Sequence, residues 1–328
     1  MKIVAGIGAA DDYEEFVNAG ADEIYFGYVP GEYYREYKNT RPINRREVMY
    51  CNVQTGAESE LLILKNMVMT RNIPVSVVLN SLCYEKEQYP FLKKYVEKLM
   101  KIGFNSFIVA SHDLFLFLSE IKDIRLVLSG EYGEINRFVP ACLKRKMKGY
   151  EESFKRIIFP RQTLIEEMKN ITAFVGPSIK EYEAFVLNEK CHFTGAYCNS
   201  FHCDELCHIC HLPYRIEKKK GCDDVSDARA CKTDFHSYSD DGMESECTGS
   251  SGCAMCSLWK LREAGITHLK IVGRGNDTVS SVNDIRALKR ALNILEESKT
   301  EDDYIKKMKN ELFPSGCSKN CYYESVDQ

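Results

Sequence analysis

Short runs of β-branched and aromatic residues recur along the chain. Between them lie longer stretches whose apolar positions fall at helical spacing, the alternation expected of βα units around a parallel sheet. Eight runs read as strands: Ile3 to Ile7, Glu23 to Gly27, Pro74 to Asn80, Ser106 to Ala110, Arg125 to Ser129, Arg156 to Pro160, Tyr182 to Leu187 and His268 to Val272. Helices fill the intervals. Asn44-Arg45-Arg46-Glu47 and Thr163-Leu164-Ile165-Glu166 have the form of capping boxes, in which a side chain at each end satisfies a backbone N–H of the first turn. Gly20, Gly103 and Gly265 stand where a helix must close before the next strand.

Eight such units predict an α/β fold, a (β/α)8 TIM-like barrel. That fold typically takes about 250 residues, so the 328 here leave room for insertions. The expected division is a barrel over residues 1–300, with a Cys-rich insertion at about 191–256 between the seventh and eighth strands, then a C-terminal helix and tail over 301–328. Two loops stand apart from the pattern: Tyr28 to Asn44, with its Tyr, Arg and Pro residues, and the polar stretch His211 to Gly252, which carries Lys218-Lys219-Lys220. A doubly wound open sheet is the competing fold. Its dinucleotide fingerprint is incomplete here, because Gly6-Ile7-Gly8 runs into Ala9-Ala10-Asp11; the third glycine is missing and the acidic residue would oppose phosphate.

Composition narrows the function classes. The 44 Lys and Arg against 48 Asp and Glu give a net charge of -4, so the chain lacks the basic excess of a general nucleic-acid binder. RNA contact would have to be local. The run Leu143-Lys144-Arg145-Lys146-Met147-Lys148 reads first as a solvated helix face. The most apolar window, Phe104 to Leu118, is broken by His112 and Asp113 and is too short to span a bilayer. The N-terminal segment has neither the apolar length nor the cleavage region of a secretory signal. A cytoplasmic, reducing setting is therefore expected.

In that setting the 15 cysteines call for an explanation other than disulfides. Ten of them lie between Cys191 and Cys256, spaced Cys191-x6-Cys198, Cys203-x3-Cys207-x2-Cys210 and Cys253-x2-Cys256 among the others, with His192, His202, His208 and His211 interleaved. The surrounding segment is too polar to bury so many thiols as apolar filler. Thiolates are soft ligands for zinc or iron-sulfur clusters. In a barrel, both Cys191, after the seventh strand, and Cys253, before the helix that returns to the eighth, belong at the C-terminal mouth where active sites are built. A zinc knot and a four-thiolate cluster both fit this spacing. Cys51, Cys83 and Cys142 read as core or helix fillers, and Cys317-x3-Cys321 either completes a second site or is a pair of surface thiols.

The blocks Ala19-Gly20-Ala21-Asp22-Glu23-Ile24-Tyr25-Phe26-Gly27, Arg156-Ile157-Ile158-Phe159-Pro160-Arg161, Cys191-x6-Cys198 and Leu269-Lys270-Ile271-Val272-Gly273-Arg274 resemble the collagenase-like U32 peptidase family, in order from the first strand to about Asn293. The resemblance implies a 4Fe-4S cluster rather than zinc, and oxygen-independent hydroxylation of tRNA, rRNA or ubiquinone precursors in related proteins. Carried over, Cys191 and Cys198 match the first two cluster cysteines, Cys207 or Cys210 the third, and Cys253 or Cys256 the fourth. Departures are Gln162 where the family often has glutamate, a shortened gap after Cys198, extra cysteines in the insertion, and an end soon after the barrel.

Residues just past the other strands should line the same mouth: Asn80, His112, Glu131, Arg161 and Arg274. Arg161 and Arg274 offer two guanidinium forks to a carboxylate-bearing substrate. Glu131, beside Tyr132, is the candidate general acid or base. His112 is the fourth catalytic candidate, with packing or capping as its ordinary role. The reading that results is an iron-sulfur enzyme of redox type, performing oxygen-independent hydroxylation or sulfur transfer on a small anionic substrate or a modified macromolecule, with a separate electron donor and no membrane. Two others compete with it. A peptidase lacks both His-Glu-x-x-His and Gly-x-Ser-x-Gly here, leaving only a cysteine nucleophile with His112 or a loop histidine. A zinc-stabilised binding module would make the rim residues dispensable.

Overall fold

The computed structural model describes residues 1–37, 41–45, 55–133, 135–191 and 248–323. Within them the chain forms a closed eight-stranded parallel barrel in sequence order. The strands are β1 Lys2–Gly6, β2 Glu23–Phe26, β3 Val75–Leu79, β4 Ser106–Val109, β5 Arg125–Leu128, β6 Phe154–Ile158, β7 Glu181–Leu187 and β8 His268–Ile271. All eight expected strands are present, displaced by at most two residues at either end. Closure is made by β1 on β8, with Lys2 opposite His268 and Val4 opposite Lys270.

The helices are α1 Asp12–Ala19, α2 Gly31–Tyr37, α3 Glu58–Arg71, α4 Tyr89–Ile102, α5 His112–Ser119, α6 Phe138–Met147, α7 Ile165–Val175, α8 Leu258–Glu263, α9 Thr278–Glu297 and α10 Glu301–Leu312. Their ends follow local chemistry. Ser111 caps α5 by accepting the Leu114 N–H, and Asp277 and Thr300 do the same for α9 and α10 through Ser280 and Asp303. Gly20 ends α1 in the left-handed conformation at φ 113°. The box expected at Thr163 sits one residue later, because Glu167 accepts the N–H of Leu164 and the helix starts at Ile165. The helix expected after Asn44-Arg45-Arg46-Glu47 lies outside the described residues. The loop Tyr28 to Asn44 contains the short α2, whose Tyr33 and Tyr37 are buried.

The barrel lumen is charged in its lower layer. Arg156 on β6 is fully buried and reaches across the ring to Glu23 on β2, with Nη2 to Oε2 at 2.5 Å and Nη1 to Oε1 at 2.9 Å. β2 and β6 stand four places apart in the ring, so this contact passes through the interior. Arg156 also donates to Glu183 at 2.9 Å and to Glu181 at 3.0 Å, and Glu183 accepts from Lys270 at 2.8 Å. Ser76 adds a hydroxyl to Glu23, and Ser106 lies beside it. Burial works against the charge on Arg156, but Glu183, Glu23 and Glu181 outweigh it and hold its pKa above the ordinary range. Burial likewise opposes the charge on Glu183, yet Lys270 and Arg156 bring its pKa down to about 2. The opposite happens at His268, where burial and Arg156 lower the pKa to about 4 and keep the ring neutral near pH 7.

Candidate active site at the barrel mouth

Above this layer, at the C-terminal ends of the strands, a cavity of about 70 Å³ opens; its polar lining includes Tyr25, Arg45, Asn80, Glu131, Arg161, Lys270 and Arg274. Four of the five residues expected at the mouth are therefore on its wall. Glu131 is the hinge of the arrangement. Its carboxylate accepts from Arg161 Nη1 at 2.9 Å and faces Arg45 Nη1 at 3.2 Å, and all three side chains are largely buried. The Arg161 guanidinium also lies over the Phe185 ring, 4.2 Å from its centroid. Desolvation disfavours the Arg161 cation, but Glu131 chiefly, with Tyr322 and the Cys191 thiol, raises its pKa above the usual value. Arg161 thus stays charged while its Nε is buried without a hydrogen-bond partner among the described residues.

Two asparagines fix the other arginines. Asn80, at the end of β3, accepts the Arg45 N–H at 3.1 Å, and Asn44 accepts from Arg274 Nη2 at 3.3 Å. Arg274 follows Gly273, which sits at φ 118° and where an added Cβ would lie 2.0 Å from the Asn276 side chain. Only glycine makes that turn at the end of β8. The cavity floor is Lys270, whose Nζ pairs with Glu183 below and stands 3.6 Å from the centroid of the Tyr25 ring. Burial lowers the Lys270 pKa, against the pull of Glu183.

His112 does not line this cavity. It opens α5, with Nδ1 2.8 Å from the Tyr132 hydroxyl and Nε2 3.3 Å from Lys146 Nζ. Burial, then Lys146, lowers its pKa. The basic run expected as a solvated face occupies the second half of α6, and its Lys146 is the residue turned to His112.

Cys191 is half-buried just beyond β7, where Gln162 Nε2 donates to its carbonyl at 2.8 Å and its thiol is an electrostatic neighbour of Arg161 and Tyr322. Cys198, Cys207 and Cys210 lie outside the described residues, as does Cys51. Past the insertion the chain returns against the end of β7: Asn188 N–H donates to the Gly252 carbonyl at 2.9 Å, Lys190 N–H to Ser251 at 2.8 Å, and Leu187 bridges Cys253. Burial pushes the Cys253 thiol up to about 12, and Cys256 is raised for the same reason. Among the described residues no three His, Cys, Asp or Glu side chains are gathered closely enough to hold a metal ion. Cys142 lies in α6, while Cys83 is exposed in the connection after β3 rather than filling the core.

The family model described as peptidase family U32 matches residues 8–328. The chain belongs to that family. Among solved structures, this U32 protein is similar to the U32 peptidase Mk0906, at 14% identity over 57% of this chain and 69% of that one, with a TM-score of 0.42. It is also similar to a 2,3-dimethylmalate lyase of the PEP mutase/isocitrate lyase superfamily, at 8% identity over 95% and 90% of the two chains, TM-score 0.41. A xylose isomerase-like TIM barrel/4-hydroxyphenylpyruvate dioxygenase fusion protein aligns at 13% identity over 90% and 43%, TM-score 0.44. No curated protein matches.

Three site residues escaped the sequence reading. Arg45 looked like part of a capping box, and Tyr25 and Lys270 stood in the blocks that carry the family resemblance without being assigned to the site. The signal available for Lys270 and Tyr25 was a charged or hydroxylated residue inside a strand that should be buried on both faces.

Proposed function

We propose that this U32-family protein is an iron-sulfur enzyme of redox type, carrying out oxygen-independent hydroxylation or sulfur transfer on a small anionic substrate at the barrel mouth. One observation supports the reading: a largely buried wall of Arg45, Arg161 and Arg274 lines the cavity, and its Arg161 is an electrostatic neighbour of the half-buried Cys191. Three guanidiniums and the carboxylates of Glu131 and Glu189 line the cavity, so the cations outnumber the carboxylates on its wall. A small cavity of that sign selects a carboxylate, for which paired N–H forks are the matching donors.

The donor set suits a thiolate-held cluster, since cysteines are soft ligands for iron and Arg161 stands as a cation beside Cys191. Cys191 would hold it together with partners drawn from Cys198, Cys207, Cys210, Cys253 and Cys256. When bound, a 4Fe-4S cluster would relay single electrons between the substrate and a separate redox partner; hydroxylation with water as the oxygen source releases two electrons to that partner and two protons to solvent. The remaining work falls to side chains. Arg161 and Arg274 bind and orient the substrate anion. Glu131, within hydrogen-bond reach of any group that displaces Arg161 or Arg45, accepts or returns the proton. Lys270 and Tyr25 close the floor and exclude water from below.

Anaerobic purification followed by a visible spectrum and assay of iron, zinc and acid-labile sulfide tests this reading, on wild type and on Cys191→Ala with Cys198→Ala. Brown protein that loses one cluster's iron and sulfide in the double variant is expected. Colourless protein carrying zinc alone overturns the reading, and proteolysis of an unfolded substrate by that colourless protein would instead favour the peptidase.

A further inference from the structure

The C-terminal tail comes back to the barrel at the Cys-x2-Cys pair. Cys253 and Cys321 are partners in a parallel bridge: the Cys253 N–H donates to the Asn320 carbonyl at 2.9 Å, and the Tyr322 N–H donates to the Cys253 carbonyl at 2.8 Å. Ser318 Oγ donates to the Gly249 carbonyl at 3.0 Å and Asn320 Nδ2 to that of Ser250 at 3.2 Å, so the tail between the two cysteines is pinned on the same segment. Cys317 and Cys321 are electrostatic neighbours of both Cys253 and Cys256, and all four thiols are half-buried. The Met255 N–H points at Cys253 Sγ at 3.5 Å. Tyr304 holds this turn through a 2.6 Å hydrogen bond to the Met255 carbonyl.

We infer that Cys253, Cys256, Cys317 and Cys321 form a second, four-thiolate centre for a soft metal, zinc or an iron-sulfur cluster, which clamps the C-terminal tail to the barrel. Two short-spaced cysteine pairs brought together by the fold are the usual plan of a closed structural site. The four sulfurs do not yet converge on one point. Cys253 and Cys321 are already paired through the backbone, and metal binding would draw the four sulfurs together. Each thiol then gives its proton to solvent as its sulfur bonds the metal.

The centre has a consequence for the mouth. Tyr322, next to Cys321, stacks on Phe185, bonds the Asn188 carbonyl through its hydroxyl and lies beside Arg161, while Tyr323 donates to the Phe185 carbonyl at 2.9 Å. A metal that fixes Cys321 therefore fixes the aromatic wall behind Arg161. The inference narrows the reading of the mouth, since it takes Cys253 and Cys256 out of that centre's candidates and leaves Cys191, Cys198, Cys207 and Cys210.

The test is metal and sulfide analysis of the full chain as wild type, as Cys317→Ser with Cys321→Ser, and as Cys191→Ala with Cys198→Ala. The tail variant should lose one equivalent of zinc, or one cluster's iron with its sulfide, and the mouth variant should keep it. X-ray absorption on the mouth variant guards against a tail variant that fails to fold: four sulfur neighbours at about 2.3 Å are expected for zinc or iron. Sulfide accompanying the retained iron identifies a cluster, and its absence with zinc identifies a single ion. Equal metal content in wild type and a folded tail variant overturns the inference. So does a Cys253–Cys321 disulfide in the reduced, anaerobically purified protein, or nitrogen and oxygen neighbours in place of sulfur.

Discussion

Replacing Arg156 by leucine tests whether the charged lumen holds the barrel together. The substitution removes the guanidinium that hydrogen-bonds both Glu23 and Glu183 and leaves those carboxylates 7% and 0% exposed. Breaking a buried ion pair by deleting one partner costs about 3–5 kcal/mol. The pKa of Glu183 gives a second route to the size. Holding a buried carboxyl at about 2 instead of its usual 4.5 corresponds to about 3 kcal/mol at neutral pH, at roughly 1.4 kcal/mol per pH unit. At about 2 °C per kcal/mol for a domain of this size, Arg156→Leu should melt about 6–10 °C lower at pH 7. The sign of the pH dependence follows. Glu183 has a depressed folded-state pKa, so its contribution is present above the unfolded value near 4.5 and fades as the pH falls toward 2. Denaturant titrations at pH 7 and pH 4 should show the gap between wild type and variant narrowing at the lower pH. A loss below about 1 kcal/mol at pH 7, or a gap that widens on acidification, would refute the reasoning.

Glu131→Gln leaves Arg45 and Arg161 without their shared carboxylate. It should destabilise the fold by about 3 kcal/mol, and sulfate should raise the melting temperature of the variant more than that of wild type. Arg161→Gln and Arg274→Gln should each weaken protection by small dicarboxylates at least tenfold in a thermal-shift titration, the equivalent of about 1.4 kcal/mol. Gly130→Ala would place a Cβ 2.8 Å from the Phe185 ring and 3.1 Å from the Phe159 carbonyl, displacing the surface on which Arg161 lies. It should cost about 1–3 kcal/mol and weaken dicarboxylate protection as Arg161→Gln does, whereas unchanged protection would show that Phe185 does not position the arginine.

The eight strands were legible because β-branched and aromatic runs bounded by glycines at helix ends are a local signal, and a parallel order follows from the helices between them. What the lumen does with Glu23, Arg156, Glu183 and Lys270 was not legible. Each sits inside its run like a solvent-facing residue, and only closure of the ring carries Arg156 across to Glu23. At the mouth, Asn80, Glu131, Arg161 and Arg274 could be placed by their position just past a strand. Arg45 could not, because it stands far past the end of β2 in a long loop and its sequence imitates a helix cap. His112 was placed at the right face, but as the first residue of α5 it turns to Tyr132 and Lys146 and away from the cavity. The meeting of Cys321 with Cys253 spans 68 residues and depends on the path of α9 and α10, which no spacing rule conveys.

Electron paramagnetic resonance of the anaerobically purified, dithionite-reduced protein tests the central claim most directly. The account predicts a cluster signal in wild type that survives Arg161→Gln and Arg274→Gln, changes in shape when a small dicarboxylate fills the mouth, and loses its mouth component in Cys191→Ala with Cys198→Ala. A colourless protein with stoichiometric zinc, no sulfide and no signal on reduction would contradict it.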